Sequence, residues 1–224
     1  MNLKSVFIKY CFLSIVVGAF MNIAPSTLAA NKTPQNTSHP SDLYQNLDRL
    51  KFSNYSRQTI DIVATRSAVS PKTIELVKQF EGFRSRAYID TSGYAVIGYG
   101  QSRINGRRVR MGQYITQAQA EAALEQELAH IQKTVLAHVK VELNQYQLGA
   151  LTSLVYNSGV RVLKKSTLIR KLNAGDYAAA SREFVRWNKA NRGGRLVVFP
   201  GLTRRRLAEQ KLFLTPYIQV ASNS

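Results

Sequence analysis

Cysteine is nearly absent from this chain: of 224 residues one is a cysteine, Cys11, and it lies inside the first apolar run. No disulfide, zinc thiolate or cysteine nucleophile can come from the remainder, so stability must rest on an ordinary apolar core, which a domain of about 150 residues can supply. Histidine is scarce as well. His39, His130 and His138 are the whole set, and no two stand at a metal-ligand spacing, so neither a metal nor any other cofactor is expected. Acidic residues are outnumbered, 13 against 31 lysines and arginines, for a formal charge of +18. Such a charge concentrates a protein on polyanions without choosing among wall polymers, acidic lipids, lipopolysaccharide and nucleic acid. Long apolar stretches are lacking too. The run over residues 10–24 is about fifteen residues, short of the roughly 20 that a relaxed membrane-spanning helix needs.

That run nevertheless has an order of its own. Lys4 and Lys9 precede it, and the small-residue stretch Thr27-Leu28-Ala29-Ala30 closes it, the pattern of a secretory signal peptide. Tyr10 stands before Cys11 where a lipoprotein site would want a small residue. Residues 1–30 are therefore expected to be removed, leaving a charge of +16, no thiol and no stable membrane span. The destination is periplasmic or extracellular, where anionic wall or envelope polymers, rather than nucleic acid, are the expected partners of the basic surface. Residues 31–69 are polar, rich in Asn, Ser, Thr and Gln, and read as a flexible leader with a weak helical patch around Leu43, Leu47 and Leu50.

At Ser70-Pro71 the texture changes. Ser70 suits a helix N-cap, Pro71 the first helical position, and Ile74, Val77 and Phe80 mark an apolar stripe. Two β-prone runs, Ala87-Tyr88-Ile89 and Tyr94-Ala95-Val96-Ile97, flank the turn tetrad Asp90-Thr91-Ser92-Gly93 and predict a hairpin. After Gly106 the pattern is helical. Thr116 and Gln119 form a capping box ahead of Leu124, Leu128, Ile131 and Val135, and further helices fit residues 145–156, 166–172, 177–187 and 203–214. The expectation is one α+β domain over residues 70–216, a small hairpin lobe and a helical lobe with a cleft between them, followed by a short tail at 217–224.

Two carboxylates fall on adjoining elements of that domain. Glu81 ends the first helix, and Asp90 lies nine residues on at the lip of the hairpin turn. Hydrolysis of a glycosidic bond needs such a pair, one protonated acid for the leaving oxygen and one ionised carboxylate for water or for oxocarbenium character. Phe80 and Phe83 make Glu81 the better candidate for the acid. Spacing alone is a weak signal, because a helix-end Glu and a turn Asp are usually just solvated.

The stretch from Glu81-Gly82 through Ala87-Tyr88, Asp90, Gly93 and Ile97-Gly98-Tyr99-Gly100 resembles the active-site segment of the phage-type lysozymes of glycoside hydrolase family 24, E-G-x(5)-A-Y-x-D-x-x-G-x-x-T-I-G-Y-G-H. Residues 145–159, with Ala150-Leu151, Val155-Tyr156-Asn157 and Gly159, are similar to the family's Q-F-D-A-L-V-S-F-x-F-N-x-G helix. Ser166-Thr167-Leu168, Leu172-Asn173-Ala174-Gly175, Trp187, Pro200-Gly201-Leu202, Arg204-Arg205-Arg206 and Glu209 are similar to its carboxy-terminal segment. The resemblance implies a muramidase fold and cleavage of the β-1,4 bond from N-acetylmuramic acid to N-acetylglucosamine in peptidoglycan strands, with Glu81 as general acid and Asp90 as second carboxylate. It also implies cleft positions at Tyr156 and Ser166, for which core packing and helix capping are the plainer uses. Trp187 fits a helix stripe and is expected in the core. For Arg204 to Arg206, salt bridges or a solvated helix face come before any wall polymer.

The chain departs from the family at two points of the cleft. Val96 stands where the family has a threonine that helps hold the attacking water, and Gln101 stands where it has histidine. Loss of an oriented group on the nucleophile costs roughly 10²–10⁴ in rate. Arg84 and Arg86 are the cations nearest in sequence to Glu81. Three readings of the cleft stay open at this point: a hydrolase, a degenerate module that binds glycan or a protein partner, and a lytic transglycosylase that needs no attacking water.

Overall fold

The computed structural model describes residues 68–222 apart from positions 91 and 165, with side chains as far as residue 215. The signal-like segment and nearly all of the polar leader lie outside the described residues. The leader's last residue, Val69, does not belong with it: it is buried in the core beside Val77. The first helix of the described residues, α1 (Pro71–Glu81), begins at Ser70 and Pro71 as the sequence requires, although the Ser70 hydroxyl makes no capping bond. Gly82, at φ +68, then turns the chain into the hairpin β1 (Arg84–Ile89) and β2 (Ala95–Gly98).

The next segment differs from expectation. Where helix was anticipated after Gly106, a second hairpin forms, β3 (Arg103–Ile104) and β4 (Arg107–Arg108), around Asn105 and Gly106, both at positive φ. Its arms are two residues long and carry three arginines, so no apolar alternation marked them as strands. Helix α2 (Gln117–His138) follows, and here the capping box is complete, with the Thr116 hydroxyl accepting from the Gln119 amide and the Gln119 side chain accepting from the Thr116 amide. Helix α3 (Gln145–Ser158) has the same device in Asn144 and Gln147.

The helical lobe continues through a 3-10 turn (Val160–Leu163), α4 (Thr167–Asn173), α5 (Tyr177–Arg182) and a second 3-10 turn (Phe184–Trp187). A third hairpin, β5 (Lys189–Arg192) and β6 (Arg195–Val198), turns at Gly193-Gly194, in a stretch where the sequence pattern predicts no element. The last helix, α6 (Pro200–Ser222), starts earlier than anticipated and runs on through residues expected to be a tail. The α+β architecture is as expected. Among the described residues three separate two-stranded sheets sit among helices.

Two apolar clusters hold the elements together. One joins Val77 of α1, Ile97 of β2, Tyr99, and Leu124 and Leu128 of α2. The other gathers Val135, Leu148, Leu151, Leu154, Leu168, Phe184 and Phe213, with Trp187 and Tyr177 packed at its edge. Helix α3 contributes to both and is buried at every residue from Gln147 to Asn157. Its contact with α1 is close. A Cβ at Gly149 would lie 2.0 Å from the Thr73 hydroxyl oxygen, and Thr73 is itself fully buried.

A polar tie also joins the lobes. The Lys78 ammonium of α1, the Tyr99 hydroxyl and the Gln117 amide all donate to Glu121 Oε1 of α2, at 2.5, 3.0 and 2.9 Å. These donors hold the Glu121 carboxyl down at about 2, the Lys78 bond contributing most, then Gln117 and Tyr99.

Two expectations follow. Gly149→Ala gains about 1 kcal/mol of helix propensity, but a 2.0 Å contact cannot persist against a buried neighbour, so overpacking of about 1–3 kcal/mol wins. Thermal melts should show a fall in Tm of several degrees, with part regained in Gly149→Ala/Thr73→Ala. For Glu121 the folded-state pKa lies below the ordinary 4.5, so its stabilisation is complete above that value and disappears as pH falls toward 2. Denaturant unfolding across pH 2 to 5 should be less steeply acid-sensitive in Glu121→Gln, and an unchanged slope would dismiss the tie as a stabilising contact.

Candidate active site

Glu81 and Asp90 bracket strand β1, and that strand is not regular. Arg84 pairs with Gly98 and Tyr88 with Val96, so four steps along β1 match two along β2. At about 3.4 Å per residue the bulged stretch advances roughly 7 Å instead of roughly 14 Å. The extra residues are satisfied elsewhere: the Ala87 amide donates to Gln113 O, Ser85 O accepts from the Ile115 amide, and Arg86 bridges to Tyr114. The bulge thereby draws the end of β1 back toward the end of α1.

Asp90 is half-buried at the turn. Its Oδ1 accepts from the Ser92 and Tyr94 amides at 2.9 and 2.8 Å, and its backbone pairs with Tyr94 O. The side chain thus fixes the turn that carries it, as short acidic side chains do in Asx turns. Glu81 has different surroundings. Its side chain is only 4% exposed, and Oε1 accepts from Arg205 Nη1 at 2.6 Å. Its other oxygen lies beside Gly100, where an added Cβ would stand 3.7 Å away.

Arg205 belongs to α6, and the salt bridge expected among Arg204 to Arg206 forms here with Glu81, a partner the sequence did not indicate. The cation set against Glu81 comes from 124 residues away, not from the sequence neighbours Arg84 and Arg86, which are exposed, Arg84 lying over the Tyr88 ring. Arg205 Nε donates to Glu209 Oε1 at 3.1 Å, and Arg206 donates to the same oxygen at 2.9 Å. Ser153 adds a hydroxyl to Glu209, while Arg206 reaches Ser158 and Asn157. Two guanidinium and two carboxylate groups share one buried network. Burial presses Arg205 down, but the two carboxylates beside it more than offset that and hold it above the ordinary arginine value. Arg206, with one carboxylate and Arg205 for a neighbour, is pushed down by burial to about 10. Beside the resemblance of this segment to the family's, the local signal was the i, i+3 and i, i+4 spacing of Glu209 from the two arginines. Arg204, by contrast, is exposed.

The four residues assigned to the glycan lie at different depths. Val96 is buried, yet joins neither apolar cluster. Its neighbour Ile97 points into the core, so strand alternation sends Val96 to the other face of β2. Gln101 corrects the expectation of a cleft side chain. It is fully buried, its Oε1 accepting from the Tyr99 amide at 2.7 Å and its Nε2 donating to Ala120 O at 3.0 Å. Both ends of the amide are engaged inside the fold. A Cβ on Gly98, whose φ is +66, would collide with Gln101 Oε1 at 2.4 Å, so the two positions depend on each other.

Tyr156 is likewise turned inward. Its hydroxyl donates to Tyr99 O at 2.8 Å, and burial raises its pKa well above the usual tyrosine value. It therefore packs under the turn beside Glu81 rather than on the surface. Ser166 is half-buried and caps α4, its hydroxyl oxygen accepting from the Ile169 amide at 3.1 Å. Among the described residues no group of His, Cys, Asp and Glu could hold a metal ion.

Comparison with known proteins accords with this geometry. The family model for phage lysozyme matches residues 78–209, more than half of the chain. The endolysin of Acyrthosiphon pisum secondary endosymbiont phage 1 is 41% identical over 145 residues, which is 65% of this chain and 97% of that protein. The endolysin of Salmonella phage P22 is 34% identical over 148 residues, covering 66% and 98%. Among solved structures, the endolysin from Escherichia coli O157:H7 phage FAHEc1 superposes with a TM-score of 0.62 at 36% identity, over 66% of this chain and 94% of that one. The match takes in both carboxylates, the bulged hairpin and the buried arginines, and so the chain belongs to the phage lysozyme family, as an enzyme of peptidoglycan hydrolysis.

Proposed function

We propose that the protein acts outside the cytoplasm and cleaves the β-1,4 bond between N-acetylmuramic acid and N-acetylglucosamine, with Glu81 donating the proton and Asp90 as the ionised partner. The observation that carries this reading is the contrast between the two carboxyl groups. Glu81 is buried against a shared guanidinium, while Asp90 stands half-exposed among backbone amides at a bulged hairpin. Glycoside hydrolysis uses two carboxyl groups in different roles, and these two stand at the two ends of the bulged strand.

Arg205 is the positioning residue in this scheme, because its bond to Oε1 fixes the orientation of the Glu81 carboxyl. Tyr156 and Gln101 act one step further back, by holding the backbone at Tyr99 next to Gly100. Ser166 retains a hydroxyl hydrogen for the glycan while its oxygen caps the helix. Export is supported by the lysines and apolar run of the first thirty residues, and attraction to anionic wall or envelope polymers by the charge of +18. Val96 favours a second reading, lytic transglycosylation, since a valine cannot hold an attacking water and that route uses none. Mass spectrometry of fragments released from purified peptidoglycan separates the two, as reducing-end sugars or as anhydro sugars.

Glu81→Gln is expected to abolish cleavage with the fold and wall binding retained, because the amide keeps the shape and cannot donate the proton. Cleavage that persists in this variant would remove Glu81 from the chemistry. Asp90→Asn should also cut hydrolysis strongly, and a mild effect there beside a dead Glu81→Gln would favour the anhydro route. Val96→Thr adds a hydroxyl at nearly constant volume. If a poorly held water limits hydrolysis, the rate should rise roughly 10-fold for a recovered bond of about 1.4 kcal/mol. A silent variant in an active enzyme rejects that account.

A further inference from the structure

Away from the cleft, the β3–β4 hairpin and the turn after it enclose a groove of about 660 Å³ lined by Arg103, Arg107, Arg108 and Arg110 together with Gly106 and Gln113. All four arginines are exposed, no acidic residue lines the groove, and none of the four is in an ion pair among the described residues. The arrangement opposes folding. Arg103 stands directly across from Arg108, and like charges in a cross-strand pair repel. Arg103 Nη1 is held along the turn by Gly106 O at 2.8 Å, which keeps one guanidinium at the groove instead of letting it swing clear. Guanidinium forks suit phosphate oxygens, and four of them around one open groove without a counter-charge make a site for an anion.

The rim says which kind of anion. Arg110 and Gln113 close a tight turn, with the Arg110 amide donating to Gln113 Oε1 at 2.8 Å and the Gln113 amide to Arg110 O at 3.3 Å. Met111, between these two lining residues, is 56% exposed, and the adjoining Tyr114 is 68% exposed. A dissolved polyanion offers these two side chains nothing. The boundary between headgroups and acyl chains does, for a flexible apolar methionine and for a tyrosine with an apolar body and a polar tip. We propose that this hairpin is a peripheral docking site for an anionic bilayer, the arginines taking lipid phosphates and Met111 and Tyr114 entering the interface. It shares no residue with the cleft, and it stands or falls independently of the glycosidase reading.

The test is sedimentation of the purified full-length protein with vesicles of phosphatidylcholine alone and with an equal part of phosphatidylglycerol, the neutral vesicles giving the baseline for any anchorage through the first thirty residues. Each basic residue at an anionic surface contributes about fivefold in affinity. Arg107→Glu/Arg108→Glu should therefore weaken binding to the anionic vesicles by at least about tenfold. Arg161→Glu/Arg170→Glu, an exposed pair in the helical lobe with the same change of net charge, should have less than about a third of that effect. Met111→Asp should weaken vesicle binding several-fold and leave binding of soluble tripolyphosphate unchanged. Equal losses from the two charge pairs would overturn the proposal in favour of diffuse attraction. A Met111→Asp variant that binds vesicles like wild type, with tripolyphosphate bound as tightly as the lipid, would overturn it in favour of a soluble polyanion site.

Discussion

The buried pairing of Glu81 with Arg205 is the interaction on which the rest of the site depends. Two charges taken out of water lose several kcal/mol of hydration each, and close opposite charges and hydrogen bonds must offset that loss. Here Glu209 takes the second edge of Arg205, Arg206 lies 2.9 Å from each Glu209 oxygen, and Ser153, Asn157 and Ser158 of α3 add hydrogen bonds, while Arg205 Nη2 makes none among the described residues. The first helix, the central helix and the last helix are thereby tied at one polar point. Removing Arg205 would deprive buried Glu81 of its guanidinium, so the network holds Glu81 in place more firmly than surface pairing could.

A second, neutral brace complements the charged one. Gln101 and Tyr156 grip the backbone of Tyr99 from its two polar sides, one through the amide and one through the carbonyl. Gly98 and Gly100, both at positive φ, let the chain pass close to Gln101 and to Glu81. The turn beside Glu81 is therefore shaped from beneath. Two buried side chains decide where it lies.

Local signals in the sequence carried much of this. Ser70-Pro71, the Thr116/Gln119 capping box and the Asp90 turn each depend on residues within a few positions of one another, and each forms where the sequence puts it. The β3–β4 hairpin was illegible because two-residue arms leave no alternation to read, and β5–β6 because Lys189 to Arg192 is polar but for one alanine while Leu196-Val197-Val198 is an unbroken apolar run. Gln101 was read outward because a polar residue in a family histidine's position suggests chemistry. Its burial follows from a glycine three positions away and an alanine carbonyl nineteen positions away. Arg205 as the partner of Glu81 is a contact across most of the domain, which no local pattern encodes.

Helix α3 has a further consequence. Eleven successive residues of it are buried, and it supplies a wall to both apolar clusters. Neither cluster can therefore come apart and leave the other a complete boundary. Opening the helical side would expose the inner flank of the hairpin side to water, and the reverse holds too. The two lobes, distinct in shape, are one cooperative unit of unfolding, with the backbone amides of α3 exchanging only when the whole domain opens.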